Sequence, residues 1–449
     1  MQTTRQIADY VYGFRSTAID PIVLERAKDL SISSLGSAVV GARMGVSRLL
    51  ADYAQEEGGR PEATVIGQSF RTSAQWAAAL NCTASHCTEL EDVAWPDATY
   101  TCFLIPTVYS LGEALGSSGR QVLEALTLGF EVASRPGVIL ADAGGVARGW
   151  LTGALLGVVG VAAAASRLMG HDYVTTANAL AVAASFGAGL NRQTGSGAHV
   201  VEPGFAGRNG IMAARLAARG LTGNPTIMEG RAGYWDAIAG QQQIDFDLGT
   251  GSDFRIMQVG MKKYPCCYLT QRIIDGVLDM VAEHKLSADD VVRVEIGVNR
   301  IFPQILKYPE PGNAEEARFS LPHIIASAIS GETMSVETFT EEKVRDPRLV
   351  AQRSKVVMTI HDDWGNAQLG ESNTISMTTR DGRVLERLCT TARGDPANPL
   401  GRDELLARFV RMSEGLMPGT TGSQAAETLA RVETLDDVGP LMRLFATAE

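Results

Sequence analysis

Met261-Lys262-Lys263-Tyr264-Pro265-Cys266-Cys267-Tyr268 divides this 449-residue sequence into two halves of different character. Before it the chain is almost all Ala, Gly, Leu and Val at helical spacing; after it come β-branched runs and charged turns. Proline lacks a backbone donor and disfavours α geometry at the residue before it. Tyr264 is therefore expected to be extended, with the lysines on a strand end or loop rather than inside a helix. A lysine fixed at such a junction can meet a substrate carboxylate or act as a base. The plainer alternative is two solvated lysines in a linker, since most loop residues are scaffold.

Working back from that junction, Gly197-Ala198-His199-Val200-Val201-Glu202-Pro203-Gly204 belongs to a polar, Gly-rich loop that leads into a helix expected over 205–219. It is too irregular for a phosphate loop, and no Gly-Lys-Ser/Thr follows. It places His199 and Glu202, with Arg192 and Arg208 nearby, close to a helix N-terminus, an end that attracts anions. The alternative for His199 is a structural histidine. Earlier still, an Ala-rich helix expected over 74–88 runs into His86-Cys87-Thr88-Glu89-Leu90-Glu91-Asp92-Val93-Ala94-Trp95-Pro96-Asp97-Ala98-Thr99. If the helix persists, Glu89 and Asp92 share a face at i,i+3. The alternative is a solvated acidic loop. Cys82, His86 and Cys87 match no common zinc spacing.

Other helices are expected over 3–14, 21–54, 106–116, 119–134, 152–169 and 173–188. The apolar run from Ala154 to Ser166 is shorter than the ~18 residues of a membrane span and reads as a helix buried on all sides. Forward of the junction, the pattern predicts helices at 268–284 and 317–330, with His323 inside the second. It also predicts strands at 291–298, 356–360, 374–378 and 384–390. Asp381-Gly382 is a hairpin signal between the last two. Helices return after Pro399, at 402–413, 422–431 and 436–446.

The totals narrow the class of protein. At roughly 150 residues per domain, two or three domains are expected. The net charge is −11 and no Lys/Arg block is present, which argues against nucleic acid or an anionic membrane as partner. Six cysteines in so long a chain are no disulfide framework, so a reducing, cytoplasmic location is expected. No dinucleotide, phosphate-loop or cluster-binding signature is present, and neither a cofactor nor a metal is expected.

The order of these features resembles the MmgE/PrpD family, which includes 2-methylcitrate dehydratase, cis-aconitate decarboxylase and iminodisuccinate epimerase. The resemblance spans the chain. It rests on Asn81-x-Thr-Ala-Ser-His86, the acidic loop ending at Pro106, Gly129-Phe-Glu-Val, Ser166-Arg-Leu-Met-Gly170 and Glu202-Pro-Gly…Arg208-Asn-Gly. It continues with Lys262-x-Tyr-Pro-Cys-Cys267, Arg318-Phe-Ser-Leu321, Arg380-Asp-Gly382 and Gly394-x-Pro-x-Asn-Pro399. It implies a mainly α fold: a large all-helical domain from 1–255 with 400–449, a smaller α+β lid from 256–399, a homodimer, and an active site between domain and lid.

The chemistry implied is cofactor-independent proton abstraction α to a carboxylate on a small carboxylate, a lyase or dehydratase first. An epimerase acting on an iminodisuccinate-like substrate, or a non-catalytic descendant, are the alternatives. Carried over by position, Lys262, His199, His323 and Asp92 are the catalytic candidates. Glu89, Thr99, Trp150, Glu202, Arg192 and Tyr264 are the substrate-binding ones. Several positions depart from the family pattern. Thr99 and Trp150-Leu151 replace histidines, His199-Val-Val-Glu202-Pro-Gly replaces Lys-x-x-His-Pro-Gly, His323 replaces a tyrosine, and Glu89 replaces an aspartate.

Overall fold

Alanine and leucine at helical spacing, with few β-branched interruptions, make the first half of the chain helical. The structure is a computed structural model that describes residues 3–15, 17, 19–94, 97–142, 148–365, 370 and 372–447. Trp95 and Pro96 of the acidic segment, and Ala143-Gly144-Gly145, lie outside the described residues. The fold is mainly α. It divides into two compact units: Met1–Gln193, Ala198–Val259 and Gly401–Glu449 form one, Thr194–Gly197 and Gly260–Leu400 the other. No described helix is long and apolar enough to cross a membrane.

The first unit contains α1 (Thr3–Gly13), α2 (Pro21–Gly41), α3 (Gly45–Glu57), α4 (Ala74–Cys87), α5 (Thr101–Leu115), α6 (Gly119–Asp142), α7 (Thr152–Leu168) and α8 (Tyr173–Ala184), together with most of α9 (Gly197–Ala217). α7 is buried from Thr152 through Ser166, as its all-apolar sequence requires. It packs on α6 with the backbones nearly touching: a Cβ on Gly129 would lie 2.6 Å from the Gly160 carbonyl oxygen. α4 begins at Ser73, whose hydroxyl accepts from Trp76 N–H at 3.4 Å. The C-terminal helix Arg402–Ser413 packs on α2. There Arg402 pairs with Asp29 and Glu25.

Several of these elements differ from the expectation. The helix expected over 21–54 is two, because Gly41 and Gly45 flank a break in which Met44 is extended. α5 starts at Thr101, with Pro106 inside it, five residues before the expected start. α9 starts at Gly197 and contains Pro203, so His199 and Glu202 stand on its first turns and not on a loop.

The second unit is α+β. Its sheet has four strands in the order 356–360, 291–298, 373–379, 384–389. The first pair is parallel and the other two antiparallel. The Asp381-Gly382 turn closes the hairpin, with Thr378 opposite Val384. Val294, Ile296, Val298, Ile375 and Met377 are buried, and helices Gln271–Glu283 and Leu321–Ile329 pack on the sheet. All six cysteines are buried.

The seat of α9 on α4 is the contact that positions the candidate site. A Cβ on Gly204 would stand 2.4 Å from the Ala79 carbonyl oxygen and 2.4 Å from Thr83 Oγ1. Gly204→Ala is expected to lose about 1–3 kcal/mol of stability in urea unfolding. Gly13→Ala, with nothing within 4 Å of the added carbon, should stay within about 0.5 kcal/mol of wild type.

Candidate active site

α4 ends at Cys87, and Glu89 follows with φ at 54°, in the left-handed region. A non-glycine residue held there costs of order 1 kcal/mol or more and persists where surrounding contacts dictate it. Glu89 and Asp92 therefore do not share a helix face as expected. The turn aims the two carboxylates in different directions, one toward histidines and one toward the helical core.

Glu89 Oε1 lies 3.5 Å from His86 Nε2 and 3.9 Å from His199 Nε2. Glu91 Oε1 lies 3.8 Å from His86 Nε2. The two imidazoles meet edge to face, with centroids 4.8 Å apart. His199 Nδ1 is 2.9 Å from Glu202 Oε2, and His86 Nδ1 is 3.3 Å from the Val200 carbonyl oxygen. His86, Glu89, Glu91 and His199 are all buried. Burial alone would lower the His199 pKa. The hydrogen bond to Glu202 and the charges of Glu89, Glu202 and Glu91 outweigh it, and the imidazole is held above its ordinary value.

Asp92 belongs to the neighbouring core. Its carboxylate accepts from Ser33 Oγ at 3.4 Å and interacts with the half-buried Arg408 of helix Arg402–Ser413. Thr99 Oγ1 donates to the Asp92 carbonyl at 2.6 Å. Half-buried Trp150 pairs with Leu190 in an isolated bridge. The adjoining Gly189 is close to Glu202: a Cβ there would stand 3.6 Å from Glu202 Oε1. Asp92 and Thr99 thus lie together, while Trp150 adjoins the Glu89–His199–Glu202 group through Leu190 and Gly189. Arg192 is exposed, in the short 3₁₀ turn Asn191–Gln193. Arg208 stacks over Trp76, 4.4 Å from the ring centre. His86, Glu91 and Arg408 were not among the expected site residues. The His86-x-x-Glu89-x-Glu91 spacing is the signal for the first two, and Arg408 has none.

In the second unit three motif segments come together. Gln271 accepts from Lys263 N and Tyr264 N at 3.0 and 2.9 Å and donates to the Tyr264 carbonyl at 3.0 Å. Met261 N donates to the Gly394 carbonyl, and Cys267 N to the Arg318 carbonyl. Lys262 is only 2% exposed, so the picture of two solvated lysines fails for it. Lys263 is the outward one, 3.1 Å from Asp275. Tyr264 is buried and its hydroxyl donates to Asp275 at 2.7 Å.

His323 is fully buried. Its Nε2 faces the Thr338 carbonyl oxygen at 3.2 Å, and Nδ1 meets Arg353 at 2.8 Å. Both ring nitrogens thus have partners inside its own unit, which fits a structural imidazole.

Among the described residues, His86, Glu89 and His199 are the set able to offer metal ligands, one atom each, all within 4.8 Å of one another. Ligands about 2.1 Å from a tetrahedral ion stand roughly 3.4 Å apart. The 3.5 Å between Glu89 and His86 is close to that, and the 3.9 Å between Glu89 and His199 is wider.

The family models for the MmgE/PrpD N-terminal domain and the MmgE/PrpD C-terminal domain match residues 5–247 and 264–434. The chain belongs to the MmgE/PrpD family. It is similar to cis-aconitate decarboxylase of Homo sapiens, at 25% identity over 459 residues, covering 98% of this chain and 94% of that one. Cis-aconitate decarboxylase of Mus musculus is 24% identical, covering 98% and 93%. The cis-aconitate decarboxylase-like protein oryM of Aspergillus oryzae is 28% identical, covering 99% and 97%. These likenesses support an enzyme of the lyase type at a coarse level.

Burial and then Arg353 push the His323 imidazole down, to about 4, against the Thr338 carbonyl's upward pull. A histidine whose folded pKa is depressed stabilises the fold above its unfolded pKa near 6.5, and that stability is lost as pH falls through the folded value. Wild type should therefore lose on the order of 3 kcal/mol between about pH 6.5 and 4 through this group. His323→Gln, which does not titrate, should show a flatter stability–pH curve by chemical denaturation over that window.

Proposed function

We propose that this chain is a lyase that performs carbon-acid chemistry on a small carboxylate, with His199 as the proton donor and Lys262 as the cationic group that holds the substrate. The observation that carries this reading is the part-buried His199–Glu202 pair. Its carboxylate neighbours hold the His199 pKa above the ordinary histidine value, which suits an acid working near neutral pH. In a decarboxylation the bond to the carboxylate carbon breaks and carbon dioxide leaves with its oxygens. The electron pair stays on the α-carbon, stabilised as an enolate by an ammonium group. A proton from His199 Nε2 then takes the place of the lost carbon dioxide, and solvent restores it.

The named relatives act in this class, which supports the lyase reading. Thr99 and Trp150 stand where a dehydratase of this family would have histidines, so an acid for a departing hydroxyl is lacking at those positions. That observation favours an epimerase as the second reading, because epimerisation needs two acid/base groups and no leaving-group acid. Glu89, Glu91 and Glu202 around the histidines disfavour a heavily charged tricarboxylate, so the substrate is a carboxylate of lower charge. The homodimer implied by the family resemblance is part of the same reading.

Lys262→Ala and His199→Ala should each lower turnover by about 100-fold or more on the substrate found by screening small carboxylates. Product carrying a new double bond with loss of water, or release of carbon dioxide, supports the lyase. Stereochemical inversion with no loss of atoms supports the epimerase. For a decarboxylase using His199 as acid, kcat/KM should fall as pH rises through the His199 pKa. Full activity in both alanine variants would end the proposal.

A further inference from the structure

His199 has two ring nitrogens in different surroundings. Nδ1 is 2.9 Å from Glu202 Oε2, and Nε2 faces Glu89 Oε1 at 3.9 Å. Glu202 lies one turn along α9 from His199, so the helix itself presents the two side chains to each other. Pro203 follows at once and cannot donate to the His199 carbonyl, which keeps this turn of α9 distinct from a regular helix. The ring is also braced from the side by the imidazole of His86 at 4.8 Å, itself held by the Val200 carbonyl. A histidine that exchanges protons through one nitrogen needs the other fixed, because the partner on the second nitrogen decides the tautomer.

We infer that Glu202 is a positioning residue and not a substrate-binding one: its carboxylate holds the Nδ1–H of His199 and so makes Nε2 the atom that gives or takes the substrate proton. The inference rests on the proposed acid/base role of His199 and departs from the expectation that Glu202 itself contacts substrate. His199 and Glu202 occupy two positions where the family pattern has a lysine and a histidine, so the pair is a device of this chain's own sequence. When His199 gives up its Nε2 proton, the Nδ1–H stays with the ring, shared with Glu202, and the product is neutral imidazole in a single tautomer. When solvent returns the proton to Nε2, the imidazolium is restored beside an ionised carboxylate. No other group has to be oxidised or reduced, and the carboxylate does not need to be protonated at any stage.

Substitutions at Glu202 separate this role from a binding role. Glu202→Gln keeps an acceptor for Nδ1–H and removes the charge. Glu202→Asp keeps the charge and shortens the reach, and Glu202→Ala removes both. Two readouts are used on the full-length protein. The first is ¹⁵N NMR of the histidine ring nitrogens across pH, which needs no turnover. In wild type the neutral His199 should be the Nδ1–H tautomer. In Glu202→Gln its titration should move to lower pH, and in Glu202→Ala the single tautomer should be lost. The second is kinetics: Glu202→Ala should lower kcat by roughly 10- to 100-fold, less than the loss of the acid/base itself, with KM changed by less than about threefold. Glu202→Asp should recover part of that loss. The double variant Glu202→Ala/His199→Ala should be no slower than His199→Ala alone, because residues that act as a unit are not additive.

A wild-type His199 carrying its neutral proton on Nε2, or a titration unmoved by Glu202→Gln, would overturn the inference whatever the reaction is. So would a Glu202→Ala variant that raises KM and leaves kcat unchanged, the signature of a lost substrate contact. If instead no small carboxylate is turned over while the NMR shows the Nδ1–H tautomer and its dependence on Glu202, the pair stands and it is the proposed reaction that falls.

Discussion

The structure depends on the burial of carboxylates beside two imidazoles at the place where α9 crosses the end of α4. Glu89, Glu91, His86 and His199 are all buried, and charged carboxylates are costly to bury unless their neighbours compensate. Protonation of His199, which the surrounding carboxylates favour, supplies part of that compensation. Much of the surrounding fold serves to hold this arrangement. Gly204 lets α9 press onto α4, the left-handed turn at Glu89 aims its carboxylate between the rings, and Glu202 reaches back along its own helix to His199.

The second unit follows different rules. Its sheet is an ordinary amphipathic layer with helices on one face, and its motif segments are locked by backbone hydrogen bonds around Gln271. Such locking fixes the backbone on either side of Lys262 and leaves Lys262 buried. A lysine so held loses little further freedom when it meets a ligand, which is the advantage of preorganisation. His323 shows the opposite case. It occupies a position that resemblance marks as chemical, yet its ring is engaged on both nitrogens by groups of its own unit.

The parts of the fold legible in the sequence were those with a strong period. The all-apolar α7, the alternating strand 291–298 and the Asp381-Gly382 hairpin have patterns that tertiary context had no reason to override. The starts and breaks of helices were less legible. Pro106 and Pro203 look like boundaries, but each sits inside a helix whose packing tolerates the missing donor. The break at 42–44 follows from Gly41 and Gly45, which flank it. For the candidate site, His199, Glu202 and Glu89 could be named from motif positions. Their grouping with His86 and Glu91 could not, because the residues come from α4, its following turn and α9, and the sequence carries no record of how those cross. Arg192 was named for its charge and its place beside the Gly-rich segment, and the chain leaves it exposed.

The central claim is that this buried cluster ionises or protonates a carbon next to a carboxylate. Incubation of the protein with small carboxylates in D₂O, followed by ¹H NMR of the α-carbon, tests it most directly. Solvent deuterium is expected to enter that carbon in substrate or product with the wild-type protein, and the His199→Ala protein should fail to introduce it. Deuterium entry at an equal rate in both proteins would contradict it.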